Sequence, residues 1–293
     1  MGTCIYLNGK FISDSKDALI SVLDHGFLYG DGIFEGIRMY NGRIFKLDEH
    51  IKRLYDSAKS IYLNIAVPPE EMTKLVIETC RKTELKDSYI RLVISRGVGD
   101  LGLDPRKCPK PTLVIIADKI ALYPPEKYLS GIKVITASTR RNRPDSLSPQ
   151  VKSLNYLNNI LAKIESFRVS ADEVVMLNDE GYVSEATADN IFILKNGKIY
   201  TPPSYLGILE GITRCTVIDL AKELGYEVKE TPFTLHDIYS CDECFLTGTG
   251  AELIPVVEID GRQVGDGKPA EHFKKLLDVY KNLTHSTGTP VYE

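Results

Sequence analysis

The chain has no run approaching the ~18 unbroken apolar residues of a membrane-spanning helix, so no spanning helix is expected. It has no excess of either charge: 36 Lys and Arg stand against 40 Asp and Glu, a net charge of −4. That excludes a general electrostatic attraction for nucleic acid or an anionic membrane; an anionic ligand needs a local cluster of positive groups. The first ten residues lack the charged-then-apolar order of a secretory signal, and a cytosolic setting is the expectation. Cysteines are scattered at Cys4, Cys80, Cys108 and Cys215, with only Cys241 and Cys244 close together, which is not a disulfide framework. His236 with Cys241-x-x-Cys244 supplies three metal-type ligands and no evident fourth, so two core or near-surface thiols are the better reading and no metal is expected. Internal repeats and low-complexity stretches are also missing.

What remains is an ordinary globular composition, 43% hydrophobic and 26% charged over 293 residues, enough for two modest cores. Asn8-Gly9, Asn41-Gly42 and Asn196-Gly197 lie between apolar runs and read as turns. A helix is expected from about residue 48, where Leu47, Ile51, Leu54, Tyr55, Ala58 and Ile61 recur at helical spacing with Asp48 as its cap. A second is expected over 69–83, then strands over 89–95 and 112–117. Pro124-Pro125 and weak periodicity mark 119–130 as a linker. Beyond it come a strand over 132–137 and a helix over 153–167, with Leu154, Leu157, Leu161, Ile164 and Phe167 facing inward. Short strands and turns follow, then a helix over 212–224 stopped by Gly225, and a late helix over 273–280. Strands and helices mix without strict alternation, so the class is α+β in two domains, 1–118 and 131–293.

Three features suggest an anion site. Gly211-Ile212-Thr213-Arg214 opens an expected helix, whose first N–H groups and dipole suit a phosphate. Thr247-Gly248-Thr249-Gly250-Ala251 follows a strand, and its glycines let the backbone approach an anion. Arg53 lies on the flank of the helix that carries His50. Each alone is more often only a turn, a helix start or a surface charge. Lys152 is sharper: it stands where a loop enters a helix, flanked by apolar residues, with Tyr156 one helical turn on. An amine in that setting is available to attack an aldehyde. Glu185, in Val183-Ser184-Glu185, is ordinarily an exposed or salt-bridged carboxylate; its functional reading is a partner for a pyridine nitrogen.

Seven stretches appear in order over nearly the whole chain: 24–38 with Tyr29 and Phe34-Glu35-Gly36-Ile37-Arg38; 49–54 with His50 and Arg53; Tyr89-Ile90-Arg91; 151–159 around Lys152; 185–192 from Glu185; 207–214; and 248–252. Together they resemble the class IV, or fold-type IV, pyridoxal-phosphate enzymes, and within these the branched-chain amino acid aminotransferases. The resemblance implies a smaller N-terminal α/β sandwich-like domain, a larger C-terminal domain with a barrel-like sheet, and pyridoxal 5'-phosphate as cofactor. Lys152 would join the cofactor and shuttle a proton, and Tyr156 would bond its 3′-oxygen. Glu185 would pair with the ring nitrogen while Leu209 packs on the ring. Arg53, Ile212, Thr213 and Thr249 would hold the phosphate. Tyr89, Thr249 and Gly250 would hold the substrate α-carboxylate. Tyr29, Phe34 and Gly36 would line the side-chain pocket, and Arg91 would receive the distal carboxylate of 2-oxoglutarate. The implied reaction moves amino groups between leucine, isoleucine or valine and 2-oxoglutarate, in a homodimer or higher assembly. Ser95-Arg96-Gly97 is similar to the D-amino-acid transaminases and aminodeoxychorismate lyases of the same fold. These, with (R)-amine transaminases, are the alternatives.

Overall fold

The three Asn-Gly pairs all take positive φ at both residues, the backbone of a two-residue type I′ turn. Each closes a hairpin, with Leu7 facing Lys10, Tyr40 facing Arg43 and Lys195 facing Lys198. The computed structural model describes residues 2–120 and 123–292. The chain divides into two units: Met1–Ile120 with Val151–Asn155 and Thr284–Glu293, and Ala121–Gln150 with Tyr156–Leu283.

The first unit holds β1 (Cys4–Leu7), β2 (Lys10–Ile12), α1 (His25–Tyr29), β3 (Gly32–Tyr40), β4 (Arg43–Ile44), α2 (Leu47–Ser60), α3 (Pro69–Thr83), β5 (Ser88–Ser95) and β6 (Thr112–Asp118). With the strand Thr289–Pro290 they make a seven-stranded sheet in the order Thr289–Pro290, β4, β3, β5, β6, β1, β2. Leu47, Ile51 and Leu54 of α2 and Met72, Val76 and Cys80 of α3 pack into one core with Ile33, Ile37, Ile90, Leu92 and Ile115 of the strands. Each such side chain withdrawn from water stabilises the fold by about 1.5–3 kcal/mol. Asp48 is not the cap of α2: the helix starts from Lys46 in the left-handed region, and Asp48 lies in the first turn, where its charge suits the dipole. Pro69 opens α3, a position that needs no N–H.

The second unit holds α4 (Pro125–Ser130), β7 (Ile132–Thr136), α5 (Leu157–Phe167), β8 (Glu173–Leu177), β9 (Val183–Ala186), β10 (Asn190–Lys195), β11 (Lys198–Thr201), α6 (Ile212–Glu223), β12 (Val228–Glu230), α7 (Leu235–Tyr239), β13 (Glu243–Gly248), β14 (Glu252–Ile259) and β15 (Arg262–Gln263); α8 (Glu271–Ser286) follows. Its sheet runs β12, β11, β10, β13, β14, β7, β8, β9, with β15 on β14. Parallel pairs at β11–β12, β14–β7 and β7–β8 mix with antiparallel ones. The expected linker carries α4 at its end, and its Ala121 and Leu122 lie outside the described residues. No helix among the described residues is long and apolar enough to cross a membrane.

Two expectations about α5 fail. It begins at Leu157, not 153, because residues 152–154 pair with a strand instead: Ser153 bridges to Ile33. Its buried side is Asn159, Ala162 and Ser166, whereas Leu157, Leu161, Ile164 and Phe167 are 66%, 49%, 44% and 68% exposed. The cause is polar: Asn159 Nδ2 donates to the Thr187 carbonyl, and Lys163 Nζ to the buried Glu173 carboxylate at 2.7 Å. Buried acceptors left without such donors would each cost about 1–3 kcal/mol.

Gly97 takes φ +94°, and a Cβ there would stand 1.8 Å from the Lys110 carbonyl oxygen; Gly9 takes φ +95° with nothing within 4 Å. Gly97→Ala is therefore predicted to cost more than the roughly 1–2 kcal/mol of backbone strain expected for Gly9→Ala. Urea unfolding of both variants checks this, and equal losses would refute the steric account.

Candidate active site

Lys152 is placed by strand pairing. Phe34 N donates to the Lys152 carbonyl and Leu154 N to the Gly32 carbonyl, each at 2.9 Å, while Lys152 N donates to Ser57 Oγ of α2 at 3.2 Å. Lys152 thus lies along the N-terminal half of β3 rather than on a helix, and Tyr156 is the residue before α5, in the other unit. The expected one-turn relation between them is absent.

Lys152 Nζ lies 4.7 Å from the centroid of the Phe34 ring, and the Arg91 guanidinium 4.6 Å from the same centroid and 5.5 Å from that of Tyr89. Strand pairing brings these together, since Gly36 faces Arg91 and Arg38 faces Tyr89. A Cβ on Gly36 would stand 2.1 Å from the Tyr89 hydroxyl, so only glycine lets that phenol lie across β3. Lys152, Phe34, Gly36, Tyr89 and Arg91 therefore form one group. Tyr29 has other partners: its ring meets His25 edge-on and its hydroxyl donates to the Leu101 carbonyl at 2.6 Å.

Glu35, one residue along from Phe34, is fully buried. Arg53 grips it in a fork, Nε to Oε1 at 2.7 Å and Nη2 to Oε2 at 2.8 Å, and His50 Nδ1 meets Oε2 at 2.8 Å. Burial pushes the Glu35 carboxyl up, but Arg53 and His50 outweigh it and hold it at about 2. Burial pushes the His50 imidazole below its ordinary range, against the pull of Glu35. A carboxylate only accepts, so His50 donates from Nδ1.

In the second unit, Glu185 is 5% exposed. Arg141 Nε donates to Oε1 at 2.8 Å; Leu209 N and Asn190 Nδ2 donate to Oε2 at 2.9 and 3.2 Å. Ile212 and Thr213 open α6 behind Gly211, and no side chain caps this helix. A Cβ on Gly211 would stand 2.0 Å from Asn190 Oδ1, so glycine is required at the helix start. Thr249 and Gly250 lie in the turn between β13 and β14. Thr247, just before it, keeps a buried hydroxyl with no hydrogen-bond partner among the described residues. A buried carboxyl group ringed by donors, an uncapped helix start and an orphaned hydroxyl beside a glycine turn fit a phosphorylated, nitrogen-bearing ring.

Arg96 is no receptor for a ligand. Its guanidinium forks onto Asp31 at 2.9 Å and donates to the carbonyls of Tyr62 and Ile61 at 2.7 and 2.8 Å. Cys241 and Cys244 are core residues: burial pushes the first thiol to about 12 and the second well above its ordinary range. Among the described residues no group of three or more His, Cys, Asp and Glu side chains is set to hold a metal. Sequence reasoning missed Arg141 and Asn190. Arg141 sits in an aperiodic basic string 44 residues before its partner, which offers no local signal.

The family model for amino-transferase class IV matches residues 32–259. The chain belongs to the class IV aminotransferases. It is 56% identical to a putative branched-chain-amino-acid aminotransferase of Methanocaldococcus jannaschii over 99% of both chains. An Escherichia coli branched-chain amino acid aminotransferase superposes with a TM-score of 0.94 at 33% identity, over 98% of this chain and 96% of that one. A T.th. branched-chain amino acid aminotransferase complexed with N-(5'-phosphopyridoxyl)-L-glutamate gives 0.91 at 36% identity, over 97% and 95%. The chain accordingly has the two-domain α+β fold of fold type IV.

The lowered pKa of His50 has a sign. Below its ordinary 6.5 the unfolded chain binds a proton that the buried ring refuses, so stability is lost as pH falls through that window. Glu35 adds a second loss from about 4.5 down to about 2. His50→Asn keeps a donor near Nδ1 and removes the titration. Its urea midpoint is predicted to fall less than that of the parent between roughly pH 7 and pH 5; parallel midpoints would contradict the assignment.

Proposed function

We propose that this protein is a pyridoxal-phosphate-dependent aminotransferase that moves the amino group reversibly between leucine, isoleucine or valine and 2-oxoglutarate. The observation that carries the reading is Lys152, an amine on a backbone pinned to β3 and set against Phe34, in a chain of the class IV family. Bound pyridoxal phosphate supplies an electron sink that an amino-acid side chain cannot. The chain does the rest. Lys152 Nζ would hold the cofactor and would move the proton at the substrate Cα. Glu185 holds the proton at the ring nitrogen, Tyr156 bonds the ring oxygen and Leu209 covers the ring. Arg53, the N–H groups of Ile212 and Thr213, and Thr249 hold the phosphate.

Tyr89, Thr249 and Gly250 are assigned to the α-carboxylate, and Tyr29, Phe34 and Gly36 to the side chain. Arg91 explains how one pocket serves two kinds of substrate. Stacked on Phe34 and near Tyr89, its guanidinium is screened by aromatic faces when the side chain is apolar, and remains at hand for a distal carboxylate. The phosphopyridoxyl-glutamate bound by the T.th. relative supports glutamate as one amino donor. The D-specific reading asks for an arginine near Arg96 at the α-carboxylate, and Arg96 is committed to Asp31 and two carbonyls. A cytosolic setting belongs to the same proposal, as does assembly. The apolar stripe of α5, exposed while its polar side is buried, suits a second copy of the same helix across a two-fold axis.

The visible spectrum of the protein with pyridoxal phosphate tests the reaction. The cofactor band is predicted to bleach with L-leucine, return with 2-oxoglutarate, and be missing in Lys152→Ala. A response to D-alanine and not L-leucine would move the activity to the D-specific relatives, and turnover without a 2-oxo acid acceptor to the lyases. No band in the parent protein would end the Lys152 assignment. For assembly, sedimentation of the parent as a dimer or larger, and of Leu161→Glu with Ile164→Glu as a monomer, is expected. A parent protein that sediments as a monomer would remove the α5 interface.

A further inference from the structure

Arg141 is as buried as its partner, 7% exposed against 5% for Glu185. It has little freedom to leave. Its backbone N donates to the Leu177 carbonyl, and its Nη1 reaches the side-chain oxygens of Asn158 and Asn159, both at 3.3 Å. Those amides are themselves fixed, Asn158 Nδ2 on the Arg140 carbonyl and Asn159 Nδ2 on the Thr187 carbonyl. A full positive charge is therefore locked 2.8 Å from one Glu185 oxygen, while the other oxygen receives two neutral donors, Leu209 N and Asn190 Nδ2.

Resting on the functional reading above, we infer that Arg141 is a positioning residue for the cofactor ring: it keeps Glu185 a carboxylate, so that the proton between Glu185 and the ring nitrogen stays on the nitrogen. Two arrangements of that proton compete. In one, a ring N–H⁺ faces a carboxylate; in the other, a neutral ring faces a carboxylic acid. Without a counter-charge, the depth of Glu185 favours the neutral pair, because burying separated charges is costly. The guanidinium reverses the preference by stabilising the carboxylate alone, and a charge-assisted bond does so more strongly than the two neutral donors. Only the protonated ring withdraws electrons strongly from the substrate Cα. Arg141 thus acts on the reaction through Glu185 without touching the cofactor. Asn158 and Asn159 extend the same hold to the first turn of α5.

The test is ¹⁵N NMR of the reconstituted protein carrying pyridoxal phosphate labelled at the ring nitrogen, with visible absorption recorded on the same samples. The parent should show a protonated nitrogen. Arg141→Gln, which keeps an amide donor and loses the charge, should show a nitrogen shifted to the unprotonated range while the cofactor remains bound. Arg141→Lys, which restores the charge without the second arm that reaches Asn158 and Asn159, should return the resonance towards the protonated range. Glu185→Gln, whose side chain cannot ionise, marks the unprotonated position. A protonated nitrogen in Arg141→Gln, or an unprotonated one in Arg141→Lys, overturns the inference; the second stands as a test even if the glutamine variant does not fold. A merely structural arginine would lower the unfolding midpoint without moving the resonance. A parent protein with no visible cofactor band fails at the earlier step, and the functional reading falls together with this one.

Discussion

A carboxylate buried at Glu185 has to be answered by donors, and much of the second unit is arranged around that demand. Arg141 answers with a charge, Asn190 with an amide and Leu209 with a backbone N–H. Arg141 then needs acceptors of its own, and takes the oxygens of Asn158 and Asn159. Asn159 passes the requirement on to Thr187, whose hydroxyl bonds Glu173, which in turn holds Lys163. Three side chains of one short helix are thereby enlisted in a polar network. The helix can satisfy them only by turning that side inward. Its leucines and isoleucines face out as a consequence, not as a defect of packing.

The first unit meets a similar problem with different parts. Glu35 is buried beneath a helix and is balanced by the fork of Arg53 and by a neutral His50. Successive side chains on a strand point to opposite faces, so Phe34 and Gly36 share a side and Glu35 takes the other. One strand can therefore present an aromatic wall and a glycine gap on one face while anchoring an arginine on the other. Removing either member of such a pair leaves an uncompensated buried charge, at about 3–5 kcal/mol. Because the cost is so high, the arginine and the glutamate hold each other in one geometry.

How much of this was legible in the sequence follows from the range of the forces involved. Asn-Gly turns, Pro69 and the 3.6-residue periodicity of α2 and α3 are local, and the chain displays them directly. The family strings marked Lys152, Glu185 and the α6 start. What stayed hidden was long-range. Arg141 has no meaning until Glu185 comes back to it through the sheet. Asp48 looked like a cap because its side chain suits one, yet Lys46 in the left-handed region takes the helix start. The stripe Leu157, Leu161, Ile164 and Phe167 has the spacing of a core face, and periodicity cannot say which side of a helix is the outside. That choice was made by Asn159 and Lys163, which look like surface residues in sequence and are tied to buried partners in the fold.

The misread start of α5 bears on the chemistry. A lysine on the first turn of a helix would have its backbone set by the helix behind it. Lys152 instead belongs to a five-residue passage, Val151–Asn155, that returns to the first unit, bonded to β3 through the Lys152 carbonyl and Leu154 N and to Ser57 of α2 through Lys152 N. The chain changes unit between Asn155 and Tyr156. The proton-carrying role proposed for Lys152 asks for a fixed root beneath the tip of the side chain. Strand pairing fixes the root more firmly than a fraying helix end would. The Phe34 ring gives the tip an apolar wall that offers it no hydrogen-bond acceptor. Duties are thereby separated: buried ion pairs hold the geometry of each unit, and the lysine proposed to react takes its place from backbone pairing.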